Sequence, residues 1–73
     1  MRKMKELAPS ESARVVGMSC RGALLRRFLD LGIYSGAKVV KISKSPLGDP
    51  SCYMISGIAV AIRDVDAASV FVE

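Results

Sequence analysis

The chain has 73 residues, a net charge of +4 and an apolar fraction of 51%, which is the size and composition of one small folded domain rather than a disordered tail. It contains no histidine and only two cysteines, which excludes Cys-His and Ser-His nucleophilic catalysis and a disulfide framework. No apolar run approaches the ~20 residues of a membrane span, and no apolar segment follows the charged N-terminus to make a signal peptide, so the expected setting is cytoplasmic and reducing, without membrane insertion.

Met1 to Pro9 reads as a helical turn with Met4 and Leu7 facing inward, ended by Pro9 and Ser10. Ser12 to Met18 (SARVVGM) is strand-like, with Gly17 marking a bulge. Ser19 is the expected N-cap of a helix over Cys20 to Leu31. Leu24, Phe28 and Leu31 recur at helical spacing with Leu25 beside them, while Arg26, Arg27 and Asp30 face water. Gly32 follows the last periodic residue as a left-handed C-cap. Ile33 to Gly36 is a turn, and Ala37 to Ser43 (AKVVKIS) a strand whose phase slips at Val39-Val40, a fault that a bulge repairs. Lys38, Lys41 and Lys44 on this strand read as a solvated face.

Pro46 to Pro50 (PLGDP) is a loop in which Asp49 is expected to bond nearby backbone N–H groups. Cys52 to Ser56 and Ile58 to Arg63 flank Gly57 as a tight hairpin, and Ile58, Val60 and Ile62 alternate with smaller residues. Asp64 opens one helical turn, and Ser69 to Val72 is a last strand. The expected architecture over residues 1–73 is a single, mainly β domain. It is a small partly open barrel of about five strands, with one α-helix after the first strand capping one end and covering exposed edges.

The chemistry of a reaction centre is missing. The seven carboxylates sit in turns, caps and termini, and no glycine loop carries a phosphate-binding pattern, so an enzyme is not expected. Cys20 and Cys52 are two thiols without a third soft ligand, a poor zinc set. Nucleic-acid binding is disfavoured by scattered basic residues and by only four aromatic side chains, Phe28, Tyr34, Tyr53 and Phe71. What remains is a partner surface at the seam of helix and barrel. Ile33, Tyr34 and Leu47 form its rim, because all three are apolar or aromatic residues in loops.

The order of these words along the chain resembles the FeoA family. The specific segments are RFLDLGIYSG (Arg27–Gly36), PLGDP (Pro46–Pro50) and IAVAIR (Ile58–Arg63). The resemblance implies an SH3-like barrel and a non-enzymatic cytoplasmic accessory of ferrous-iron transport, acting on FeoB, a membrane permease with a GTPase domain. Arg26, Arg27, Leu31, Gly32, Ile33, Tyr34 and Leu47 would then bind the partner. The alternative is a metal-responsive module like the C-terminal domain of iron-dependent repressors. The family's transition-metal label makes iron or zinc the ligand in that case, with Cys20, Cys52 and carboxylates as the candidate ligands and no resident cofactor certain. The family pattern has proline where Ser35 stands, which leaves this turn looser. A homo-oligomer is compatible with a small barrel that has exposed edges, but no residue specifies one.

Overall fold

The computed structural model describes all residues 1–73. Six strands form one antiparallel sheet: β1 Arg2–Lys3, β2 Ser12–Met18, β3 Lys38–Lys44, β4 Ser51–Ile55, β5 Ile58–Ile62 and β6 Val70–Val72. Their spatial order is β1-β6-β2-β3-β4-β5. Two helices interrupt them, α1 Gly22–Leu31 and α2 Asp64–Ala67, together with a 3-10 turn over Met4–Glu6.

The sheet turns a corner at β2. Ser12 to Arg14 pair with β3, whereas Val15 to Met18 pair with β6 across a register shift between Val15 and Gly17. One strand therefore serves two partners, and the bulge expected at Gly17 is the bend that lets it do so. The inward-facing residues build a single core from Met4, Leu7, Val15, Phe28, Ile33, Val39, Tyr53, Ile55, Ile62, Val70 and Val72, each at most 2% exposed. Met4 and Leu7 point inward as the sequence predicts.

Three differences from the sequence reading have clear causes. β1 is the sixth strand; it pairs with Phe71 and Val72 of β6 through two residues only, too few to carry a periodic signal. α1 begins at Gly22 with Arg21 as an uncapped N-cap. Ser19 does not cap it, because the Ser19 N–H donates to the Ser69 carbonyl at 2.8 Å and prolongs the β2–β6 contact. In β3 the register shift lies between Lys41 and Ser43 rather than at Val39-Val40. Ala37, Val39 and Lys41 keep a strict inward alternation, and Ile42 takes up the extra residue.

Lys41 is accordingly a core residue and not part of a solvated face. It is 0% exposed, its Nζ donates to the Lys5 carbonyl at 2.8 Å, and it lies 5.8 Å from the centre of the Tyr53 ring. Neither of the protein's two ion pairs, Arg2–Glu11 and Arg63–Asp66, involves it. Burial pushes its amine below the ordinary lysine value; Lys44 pushes in the same direction, and Asp64 opposes both. Burial raises the Tyr53 phenol to about 12.

Candidate functional site

The corner where α1 gives way to β3 is built by a Schellman motif. Gly32 takes φ 96 and ψ 15, its N–H bonds the Leu29 carbonyl at 3.1 Å, and the Ile33 N–H reaches back to the Phe28 carbonyl at 2.9 Å. This pair of bonds satisfies two of the helix's terminal carbonyls and swings the residue after the glycine back onto the last turn. Ile33 is therefore fully buried beside Phe28 in the core. The expectation that Ile33 forms part of an exposed rim is corrected: it anchors the corner from beneath.

Tyr34, one residue on, points the other way and is 52% exposed. It stands at the mouth of a shallow cleft of about 360 Å³ whose other walls include Ala37, Lys38, Val40 and Met54. Met54 lies opposite Val40 in the β3–β4 ladder, so the floor is a cross-strand apolar pair. A second depression lies along the solvent face of α1, lined by Gly22, Ala23, Arg26, Arg27, Asp30 and Leu31. Leu31 is half-buried and Leu29 is 49% exposed. The last helical turn and Tyr34 thus supply exposed apolar surface, and the two arginines lie in the neighbouring depression.

The structure does not bring Leu47 to this corner. It is 93% exposed at the tip of the β3–β4 loop and lines neither cleft. That loop leaves β3 at Lys44, four residues beyond Val40, or roughly 13 Å along the strand at the usual rise. Leu47 cannot face Tyr34 across a groove only a few residues long.

Most carboxylates already have structural work. Glu6 Oε2 accepts the Lys3 N–H at 2.6 Å, and Glu11 Oε1 accepts the Ala8 N–H at 2.8 Å. Glu11 also pairs with Arg2; this hydrogen bond and the Ala8 contact hold its carboxyl below the usual range. Asp66 pairs with Arg63 at 3.1 Å. Asp49 accepts from the Asp64 N–H at 2.9 Å, a donor fifteen residues away and not the local one expected.

A metal ligand set fares no better. Cys20 and Cys52 are half-buried free thiols, and nowhere do three Cys, Asp or Glu side chains converge as a metal site requires. The residues present do not fit a resident transition metal.

A six-stranded antiparallel sheet that bends at β2, with few helices, is the layout of a small SH3-like domain. The match to known proteins is specific. Residues 2–73 match the model of the FeoA domain, and the chain belongs to the FeoA family. It is 32% identical over 71 residues to an Fe(2+) transport protein A/Fe(2+) transporter FeoB fusion protein of Porphyromonas gingivalis. The match takes in 97% of this chain but 8% of the fusion, so the chain spans a small part of that relative. The solution structure of the FeoA protein from Chlorobium tepidum superposes with a TM-score of 0.89 at 33% identity, over 96% of this chain and 67% of that one. A Stenotrophomonas maltophilia FeoA, described as a prokaryotic SH3 domain protein complexed with zinc, superposes with a TM-score of 0.86 at 27% identity, over 100% of this chain and 91% of that one. No helix of the present chain is long and apolar enough to cross a membrane.

Proposed function

We propose that the chain is an accessory of ferrous-iron uptake that docks on the cytoplasmic part of a FeoB-type permease and modulates it without turning over a substrate. The reading of the partner is supported by the Porphyromonas gingivalis fusion, in which a similar segment shares one polypeptide with a FeoB. The docking surface is the α1–β3 corner, and the observation that carries it is the 52% exposed Tyr34 beside the Val40–Met54 cleft. Tyrosine is a favoured interface anchor because its ring buries apolar area while its hydroxyl stays paired.

Each named residue has a separate part. Tyr34 anchors in an apolar site on the partner. Leu31 extends the apolar strip along the helix. Gly32 and Ile33 hold the corner in shape from within. Arg26 and Arg27, exposed and without a salt-bridge partner, steer an acidic surface into contact and act mainly on the association rate. Iron is the permease's cargo in this scheme and not a ligand of this domain.

The test is calorimetry of the reduced protein with the permease's cytoplasmic portion, with and without ferrous iron, at two salt concentrations. Saturable binding without metal that weakens with salt and is lost in Tyr34→Ala is the expected result. Binding that requires iron, or that ignores Tyr34→Ala, overturns the assignment.

A further inference from the structure

β5 is an open edge of the sheet. It pairs with β4 on one side only, and none of the backbone hydrogen bonds outside the regular elements involves Ile58 to Ile62. The opposite edge, β1, is two residues long, a common way of blunting an edge. β5 is not blunted by length, charge, proline or bulge: its five residues, IAVAI, include no charge and no proline, and its register with β4 runs without a bulge.

The turn fixes which backbone groups are free. Ser56 and Gly57 both take positive φ, 52 and 81, as a two-residue type I′ turn requires. Such a turn makes the flanking Ile55 and Ile58 a hydrogen-bonded pair. Alternation then makes Tyr53–Val60 and Ser51–Ile62 bonded pairs as well. The N–H and C=O groups of Ala59 and Ala61 are left pointing away from β4, next to exposed methyl-sized side chains. On the other face, burial fades along the strand: Ile62 is 2% exposed, Val60 half-buried, and Ile58 61% exposed.

The strand is also its own complement. Ile58-Ala59-Val60-Ala61-Ile62 reads the same in both directions, and a two-fold interface requires a surface that matches itself. We propose that β5 pairs antiparallel with β5 of a second copy of this chain, about a two-fold axis at Val60. Ala59 and Ala61 of one copy then exchange both N–H···O bonds with Ala61 and Ala59 of the other, using the backbone groups the hairpin leaves free. Ile58 falls opposite Ile62 of the second copy, so its exposed side chain comes to lie against the second copy's β5. Arg63 falls opposite Gly57 and Asp64 opposite Ser56, so no like charges meet. A five-residue edge pairing buries less than the ~1,200–2,000 Å² of stable interfaces, so association is weak and concentration-dependent.

Sedimentation and amide NMR over about 10 µM to about 1 mM test this. The expected result is a monomer at the low end and a dimer at the high end, with shift changes and hydrogen-exchange protection rising at Ala59 and Ala61. Ala61→Pro removes a donor that bonds nothing within the monomer, a position where an edge strand tolerates proline. The double variant Ala59→Lys with Ala61→Lys places lysines opposite one another across the axis and keeps the backbone donors should the proline variant misfold. Either, folded, should weaken dimerisation more than tenfold. A monomer at about 1 mM, a dimer indifferent to both variants, or protection elsewhere on the surface overturns the proposal. Protection at β5 only when an extended peptide of the permease is added overturns the second copy as occupant.

Discussion

Gly32→Ala tests whether the α1–β3 corner is held by its backbone conformation. At φ 96 an L-alanine sits beyond the left-handed well, and that well alone costs a non-glycine residue roughly 1–2 kcal/mol. The new methyl would also lie 2.6 Å from Ser56 Oγ and 3.4 Å from Ser56 Cβ. The Cβ is at ordinary contact distance, but the hydroxyl must leave its rotamer, which adds about 1 kcal/mol. The stiffer unfolded chain returns about half of that. The net loss is about 2 kcal/mol, which in a domain of this size lowers Tm by roughly 8–16 °C. Urea and thermal unfolding measure it. A cycle with Ser56→Gly separates the parts: without the hydroxymethyl group the crowding disappears, and Gly32→Ala should cost about 1 kcal/mol less. A loss under about 0.5 kcal/mol would refute the conformational argument, and additivity in the cycle would refute the contact with the hairpin turn.

Tyr34→Ala should weaken permease binding by about 2 kcal/mol, roughly thirtyfold, and leave Tm almost unchanged, as read by calorimetry and thermal unfolding. Asp49→Ala removes the carboxylate that accepts the Asp64 N–H at the start of α2, where Arg63 supplies no side-chain cap; urea unfolding should show a loss of about 1 kcal/mol. Lys41 is held below its ordinary 10.5 by burial, so between that lowered value and 10.5 the unfolded chain binds more protons than the folded one, and this residue makes stability rise with pH. Urea midpoints across that window should rise less steeply in Lys41→Met than in the parent. Tyr53 has the opposite sign: with its phenol raised to about 12, the folded chain binds more protons above pH 10, and stability falls there. Tyr53→Phe should remove that alkaline loss and cost little near neutrality, since the hydroxyl's bond to the Met4 carbonyl is 3.5 Å long.

Local signals in the sequence were sufficient wherever the chain's own chemistry decides the structure. Helix periodicity followed by Gly32 marks the end of α1 correctly, and Gly57 between two strand-like runs gives the β4–β5 hairpin, whose turn also takes in Ser56. Gly17 marks the bend in β2. Each of these depends on residues within one turn or one hairpin. The readings that fail depend on distant partners. Ser19 looks like a cap until the Ser69 carbonyl claims its N–H. Asp49 looks like an acceptor for its own loop's N–H groups until α2 arrives with an unsatisfied donor. Ile33 is apolar in a loop, which suggests a surface role, but the glycine that caps the helix dictates that it turns inward. That inference was available from the sequence, because a Schellman ending brings a hydrophobic residue after the glycine back onto the helix.

Lys41 is the sharper case, because residue type and strand phase give opposite answers for it. Charge says solvent, whereas the alternation Ala37, Val39, Lys41 says core. Phase prevails since it is set collectively: turning Lys41 outward by a one-residue slip would also expose Val39, which is fully buried, and would lose about 2 kcal/mol from that side chain alone. Keeping it inward costs the hydration of one ammonium, offset by the Lys5 carbonyl at 2.8 Å and the face of Tyr53. Beyond the bulge at Ile42, Lys44 pairs with Ser51 in the last rung of the β3–β4 ladder and is exposed. The buried amine is therefore the local cost of a register chosen by its neighbours. Were the amine itself what sets the register, Lys41→Met would disturb the β3–β4 pairing, whereas the packing argument requires the same pairing with a flatter pH profile.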